Sequence, residues 1–96
     1  MFPGLTTKLS EATVASTTQI TAKTDIILVT GSTDIAEIIP NFGGGFSGIL
    51  ILVPIDGDVD LVTTQNIAIA VTMAEERATV LVYSKSTQTW YPGAIS

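Results

Sequence analysis

Turn residues interrupt this chain so often that no long element fits between them. Apolar runs stand at Ile49-Leu50-Ile51-Leu52-Val53, Ile67-Ala68-Ile69-Ala70-Val71, Val80-Leu81-Val82-Tyr83 and Trp90-Tyr91. Each is bounded by turn formers, and none reaches ordinary helix length, so they read as strands. Earlier in the chain, Ile20 opens a short run that Lys23-Thr24-Asp25 ends, and Ile26-Ile27-Leu28-Val29 stops at Gly31-Ser32. Ile35-Ala36-Glu37-Ile38-Ile39 then ends at Pro40-Asn41, a pair that favours turns. Short strands at such regular spacing predict an all-β fold, a small antiparallel β-sandwich or barrel of jelly-roll-like form.

Two details sharpen that prediction. Residues 48–53 are continuously apolar, which predicts a strand covered on both faces. Ile67, Ile69 and Val71 alternate with Ala68 and Ala70, which places large side chains on one face of a strand and small ones on the other. The competing helix lies over residues 70–78, where Glu75-Glu76-Arg77 are good helix formers.

Residues 1–18 differ from the rest. Isolated apolar residues alternate with Thr, Ser and Ala without a sustained period, and the threonines favour extended backbone. This predicts an extended N-terminal arm over residues 1–18, anchored on a partner by Phe2, Leu5 and Leu9, and a single β-domain over residues 19–96. A short helical turn over residues 10–15, capped by Ser10, is the alternative within the arm.

Composition narrows the function. Of 96 residues 46% are hydrophobic and only 14% charged, so a domain this small must leave apolar side chains at its surface. Contiguous exposed apolar surface marks interfaces, which predicts a subunit of an assembly. The net charge is −5, and the four basic residues, Lys8, Lys23, Arg77 and Lys85, are scattered. Nucleic acid and anionic membranes are recognised through clustered Lys and Arg, so neither is expected as a partner. Residues 48–55 are the longest apolar run and include Pro54, far short of the roughly 20 residues that span a bilayer. The start of the chain carries no signal-peptide pattern, so a soluble protein made in the cytoplasm is expected.

Reactive groups are scarce. There is no cysteine and no histidine, hence no disulfide, no thiolate metal site and no imidazole to activate a hydroxyl. Lys85 lies between Ser84 and Ser86, but neighbours in a strand point to opposite faces. Gly43-Gly44-Gly45 runs through Phe46 into a strand and not into a helix N-terminus, so a phosphate cradle is not expected. Asp56, Asp58 and Asp60 are the weak metal candidate, since alternate strand positions would put three carboxylates on one face for a cation such as Ca²⁺. Leu61 and Ile67 stand where an EF-hand loop needs Gly and Glu, and an Asp-Gly turn followed by a solvated strand face, or an edge strand protected by charge, is the better account of the spacing. Trp90 reads as a core plug or an aromatic platform, and Tyr91 as a contact residue. No enzyme and no cofactor are expected.

The segment from Val29 to Tyr91 has a cadence of its own: Thr30-Gly31-Ser32-Thr33-Asp34-Ile35, then Gly45-Phe46-Ser47-Gly48 leading into Leu50-Ile51-Leu52, then Asn66-Ile67-Ala68-Ile69-Ala70, Leu81-Val82-Tyr83 and Trp90-Tyr91. This resembles small β-structured virion proteins of tailed bacteriophages, most of all the capsid decoration (cement) proteins. The resemblance implies a homotrimer on the outer capsid surface that clamps neighbouring major capsid proteins. Phe2, Leu5 and Leu9 of the arm, Phe46 of the glycine loop, and Tyr91 are the contacts expected on that basis. A tail-fibre, spike or adhesin module binding host carbohydrate through Trp90, Tyr91 and the Asp56–Asp60 face is the alternative. No motif unique to decoration proteins is present, so the resemblance rests on the rhythm of strands and turns.

Overall fold

In a computed structural model of the chain, residues 10–40 and 47–93 are described. They hold nine strands and no helix: β1 (Glu11–Ala15), β2 (Gln19–Ala22), β3 (Ile26–Thr30), β4 (Glu37–Pro40), β5 (Gly48–Pro54), β6 (Val59–Leu61), β7 (Val71–Met73), β8 (Thr79–Ser84) and β9 (Thr89–Pro92). The all-β prediction holds. Five strands form one sheet in the order β1-β3-β5-β8-β9, while β2 pairs with β4 and β6 with β7 in two ribbons. Each sheet has free ends, so among the described residues no barrel closes.

The strand directions differ from the expected antiparallel order. β1, β3 and β5 run parallel, as do β2 and β4. The crossover that a parallel pair requires is supplied here by strands of the other sheets. The chain leaves the large sheet after β1, passes through β2, and returns as β3 beside β1. It then passes through Ile35 and β4 before returning as β5, so that this half of the domain is a short coil. Ile35 adds a further parallel bridge, to Leu61. Only β5–β8–β9 and β6–β7 are antiparallel. Alternation and turn residues are local signals for a strand; its direction relative to a neighbour depends on the route between them, which they do not encode.

Two further expectations are corrected. Part of the predicted arm belongs to the body, because residues 11–15 form β1, which pairs with β3 and turns Ala12 and Val14 toward the interior. Phe2, Leu5 and Leu9 lie outside the described residues. The alternating run 67–71 is mostly not a strand: Ile67 bridges Trp90 and is buried, Ile69 is 58% exposed, and only Val71 enters β7. Residues 70–78 form no helix either; a turn at Glu75-Glu76 joins β7 to β8, with Glu76 at φ 63°.

One core unites the three sheets. Ile27, Val29, Leu50, Leu52, Leu81 and Tyr83 of the large sheet meet Ile20 and Ile38 of one ribbon and Leu61 and Met73 of the other. Trp90 is fully buried among them, and its indole Nε1–H donates to the Ile38 carbonyl at 2.9 Å. Its ring lies 5.0 Å from that of Tyr83, tilted by 53°, a favourable geometry for an aromatic pair.

Candidate functional site

Among the described residues, the core lies on one side of the large sheet. Alternation sends Leu50, Leu52, Leu81 and Tyr83 inward, and it must send their neighbours outward. In this chain those neighbours are apolar as well. Register places them in rows across the strands. Ile49, Val82 and Tyr91 stand side by side on β5, β8 and β9. The next row runs Glu11, Ile26, Ile51, Val80, and the next Thr13, Leu28, Val53.

Ile49 is 59% exposed, Val82 46%, Tyr91 39% and Val80 37%, and the other apolar members of the rows are half-buried by their neighbours alone. Eight apolar side chains thus form one continuous outer surface on which Glu11 is the only charge in these rows. Together they expose on the order of 500 Å² of apolar area, the size of the largest patch on an ordinary soluble monomer, which is often a functional surface. At the corner where β5 begins, Asp25, Gly48, Ile49 and Ile51 bound a hollow of about 420 Å³. Tyr91 is held upright at the far corner, its hydroxyl donating to Thr87 Oγ1 at 2.9 Å.

Sequence reasoning found Tyr91 but assigned Ile49, Ile51 and Val53 to the interior, and gave Ile26, Leu28, Val80 and Val82 no face. The continuous run over 48–53 predicts cover on both faces, and the described residues cover only one. The signal was the excess of apolar residues over what so small a core can hold. Composition gives no location for that excess.

The other candidates fall out differently. Phe46 lies outside the described residues. Trp90 is sealed in the core and offers no face for stacking a ligand. Asp56, Asp58 and Asp60 are not brought together. The chain turns through Gly57 at φ 137°, so Asp56 and Asp58 are not on one strand face. Asp56 Oδ2 accepts the Gly31 N–H at 3.2 Å, and Asp58 Oδ1 accepts the Glu75 N–H at 2.9 Å. Two of the three carboxylates therefore tie turns to the body, while Asp60 stands exposed on β6. Among the described residues no group of three or more acidic side chains is arranged to hold a metal ion. Lys85 lies in the exposed turn between β8 and β9, its N–H donating to Ser47 Oγ at 3.2 Å.

Among the described residues no helix is long and apolar enough to cross a membrane. Comparison with protein-family models, curated proteins and solved structures found no match.

Proposed function

We propose that this chain is a structural virion protein, a decoration or cement subunit that binds the outer capsid surface and stabilises neighbouring major capsid proteins. The observation that carries the reading is the apolar outer face of the five-stranded sheet around Ile49, Val82 and Tyr91. In this reading the large sheet and the two ribbons act as a rigid sandwich-like body, and the outer face is the surface it offers to capsid protein. No catalysis is assigned.

Magnitudes favour several copies acting together. Burying ~500 Å² of apolar surface yields about 12 kcal/mol in gross terms. Association costs about 4–15 kcal/mol, so one face alone is near break-even. A homotrimer docking three such faces at once converts weak single contacts into avidity. Binding only the assembled shell then stabilises that shell by mass action.

Particle composition tests the proposal. Purified capsids should carry this protein in many copies over the surface, and Val82→Asp in a folded protein should abolish that binding. Capsids that lack it, or carry a few copies at one vertex, sink the cement reading. Carbohydrate binding that disappears with Tyr91→Ala would point to the fibre or adhesin class instead.

A further inference from the structure

Among the described residues, no strand pairs with the outer edge of β1, the first strand of the coil. In β1 the Ser10 carbonyl accepts from the Ile26 N–H at 3.0 Å, and the Ser16 N–H donates to the Thr30 carbonyl at 2.8 Å. Backbone groups in a strand alternate between its two edges, so the even residues of β1 face β3. The N–H and C=O groups of Glu11, Thr13 and Ala15 therefore point to the opposite edge, where no described strand pairs with them. Folded proteins usually guard such an edge with Lys, Pro, a bulge or a covering segment. Over residues 11–15, Glu-Ala-Thr-Val-Ala, there is no Lys and no Pro, the pairing to β3 is unbroken by a bulge, and Glu11 is the only charge.

We infer that this edge pairs with β1 of a second copy of the chain, antiparallel, about a two-fold axis through Thr13. The geometry is self-complementary. Residues whose backbone groups face a partner must meet residues of the same kind. Pairing Thr13 with Thr13 of the second copy sets Glu11 opposite Ala15 and Ala15 opposite Glu11, so every outward-facing group meets one. About six backbone hydrogen bonds result. Charge agrees with this register, because the two Glu11 side chains sit at opposite ends and neither faces another carboxylate. The Thr–Thr pair on the axis is itself a favourable cross-strand contact. The two five-stranded sheets would join into one ten-stranded sheet, with their apolar outer faces continuous on one side. This contact is separate from the capsid-facing surface proposed above, and would link two copies whether or not that reading holds.

The absence of native cysteine makes the test clean. A hydrogen-bonded antiparallel pair holds its Cα atoms about 5.5 Å apart, within reach of a disulfide. Thr13→Cys in the full chain, mildly oxidised, should form an intermolecular disulfide at least about tenfold faster than Ala15→Cys, whose two copies sit four residues out of register. Thr13→Pro removes an N–H that β1 does not use within its own sheet, so the fold should survive while self-association weakens by about tenfold or more. Sedimentation reads the association and circular dichroism the fold. Equal cross-linking of the Thr13→Cys and Ala15→Cys proteins overturns the inference. So does a folded Thr13→Cys chain that stays monomeric on oxidation, which is the outcome expected if residues 1–9 of the same chain cover the edge. A Thr13→Cys disulfide formed normally in a protein also carrying Val82→Asp shows that the contact does not depend on the outer face; loss of that disulfide overturns it.

Discussion

The side-chain amide of Asn66 takes the place of a strand beside Ile38. Its Oδ1 accepts the Ile38 N–H at 3.0 Å, and its Nδ2 donates to the Ile38 carbonyl at 2.8 Å. The backbone of the same residue accepts from Trp90 N–H at 2.8 Å, so Asn66 joins β4 to β9. Ile38 is fully buried, and its N–H has no water to turn to. Replacing Asn66 with Ala should leave that donor orphaned and cost about 1–3 kcal/mol. Chemical denaturation measures the loss. The Ile38 carbonyl keeps the Trp90 Nε1–H, so only part of the junction fails.

Gly31 and Ser16 form a second tight contact. Gly31 has φ 75°, and a Cβ placed on it would lie 2.9 Å from Ser16 Oγ. That hydroxyl is in use, accepting the Thr33 N–H at 2.9 Å. Gly31→Ala should therefore combine backbone strain with a displaced hydrogen bond and destabilise by about 1–3 kcal/mol. Pairing it with Ser16→Ala, which removes the crowding oxygen, should recover part of the loss in a double-mutant cycle. Simple additivity would show that the two residues do not act on each other.

Adjacent aromatic residues should behave in opposite ways. Trp90→Ala empties the centre of the core and breaks the bond to Ile38, for a loss of about 3–5 kcal/mol. Much of the stability of so small a domain would go with it. Tyr91→Ala removes a ring that faces outward and should change the melting temperature by only a few degrees. Thermal unfolding of the two proteins side by side gives the contrast.

On the outer face, stability and association should separate. Ile49→Asp or Val82→Asp puts a charge where the side chain is already in contact with solvent, so the monomer should lose no more than about 1 kcal/mol. Any association through this surface should weaken by at least about tenfold, because a carboxylate would have to be desolvated there. Light scattering and capsid co-sedimentation read the second effect independently of the first.

Calcium should not stabilise the domain. Asp56 and Asp58 are engaged with the Gly31 and Glu75 amides and do not converge with Asp60. Melting curves with and without millimolar Ca²⁺ should superimpose, whereas a cation bound by the folded state alone would raise the midpoint. Asp56→Ala should lower the midpoint modestly, through loss of one exposed hydrogen bond worth about 1 kcal/mol.

Much of the strand pattern was legible residue by residue. Lys23-Thr24-Asp25, Gly31-Ser32 and Asp56-Gly57 end strands where the chain does turn, since these residues act through their own backbone preferences. The run 67–71 misled because alternation alone cannot tell a strand from a loop that buries one side chain. Ile67 is held by its bridge to Trp90, far away in sequence, and Ile69 is left in solvent. The three aspartates, a weak metal candidate beside the Asp-Gly turn, stay apart for a related reason: a spacing of two collects side chains only while the backbone stays extended, and Gly57 breaks it.

The residues alone dictate short strands and turns, with more apolar side chains than so small a core can hold. Those are consequences of backbone preference and composition, and they need no partner strand to be true. The folded packing sets the rest: β1, β3 and β5 run parallel, β1 is the last of the described strands at its end of the sheet, and Ile49 and Val82 face outward while Leu50 and Leu81 face in. In a strand apolar on both faces, either face serves the core equally well on local grounds. The choice is made by which one the two ribbons cover, and that depends on contacts distant in sequence.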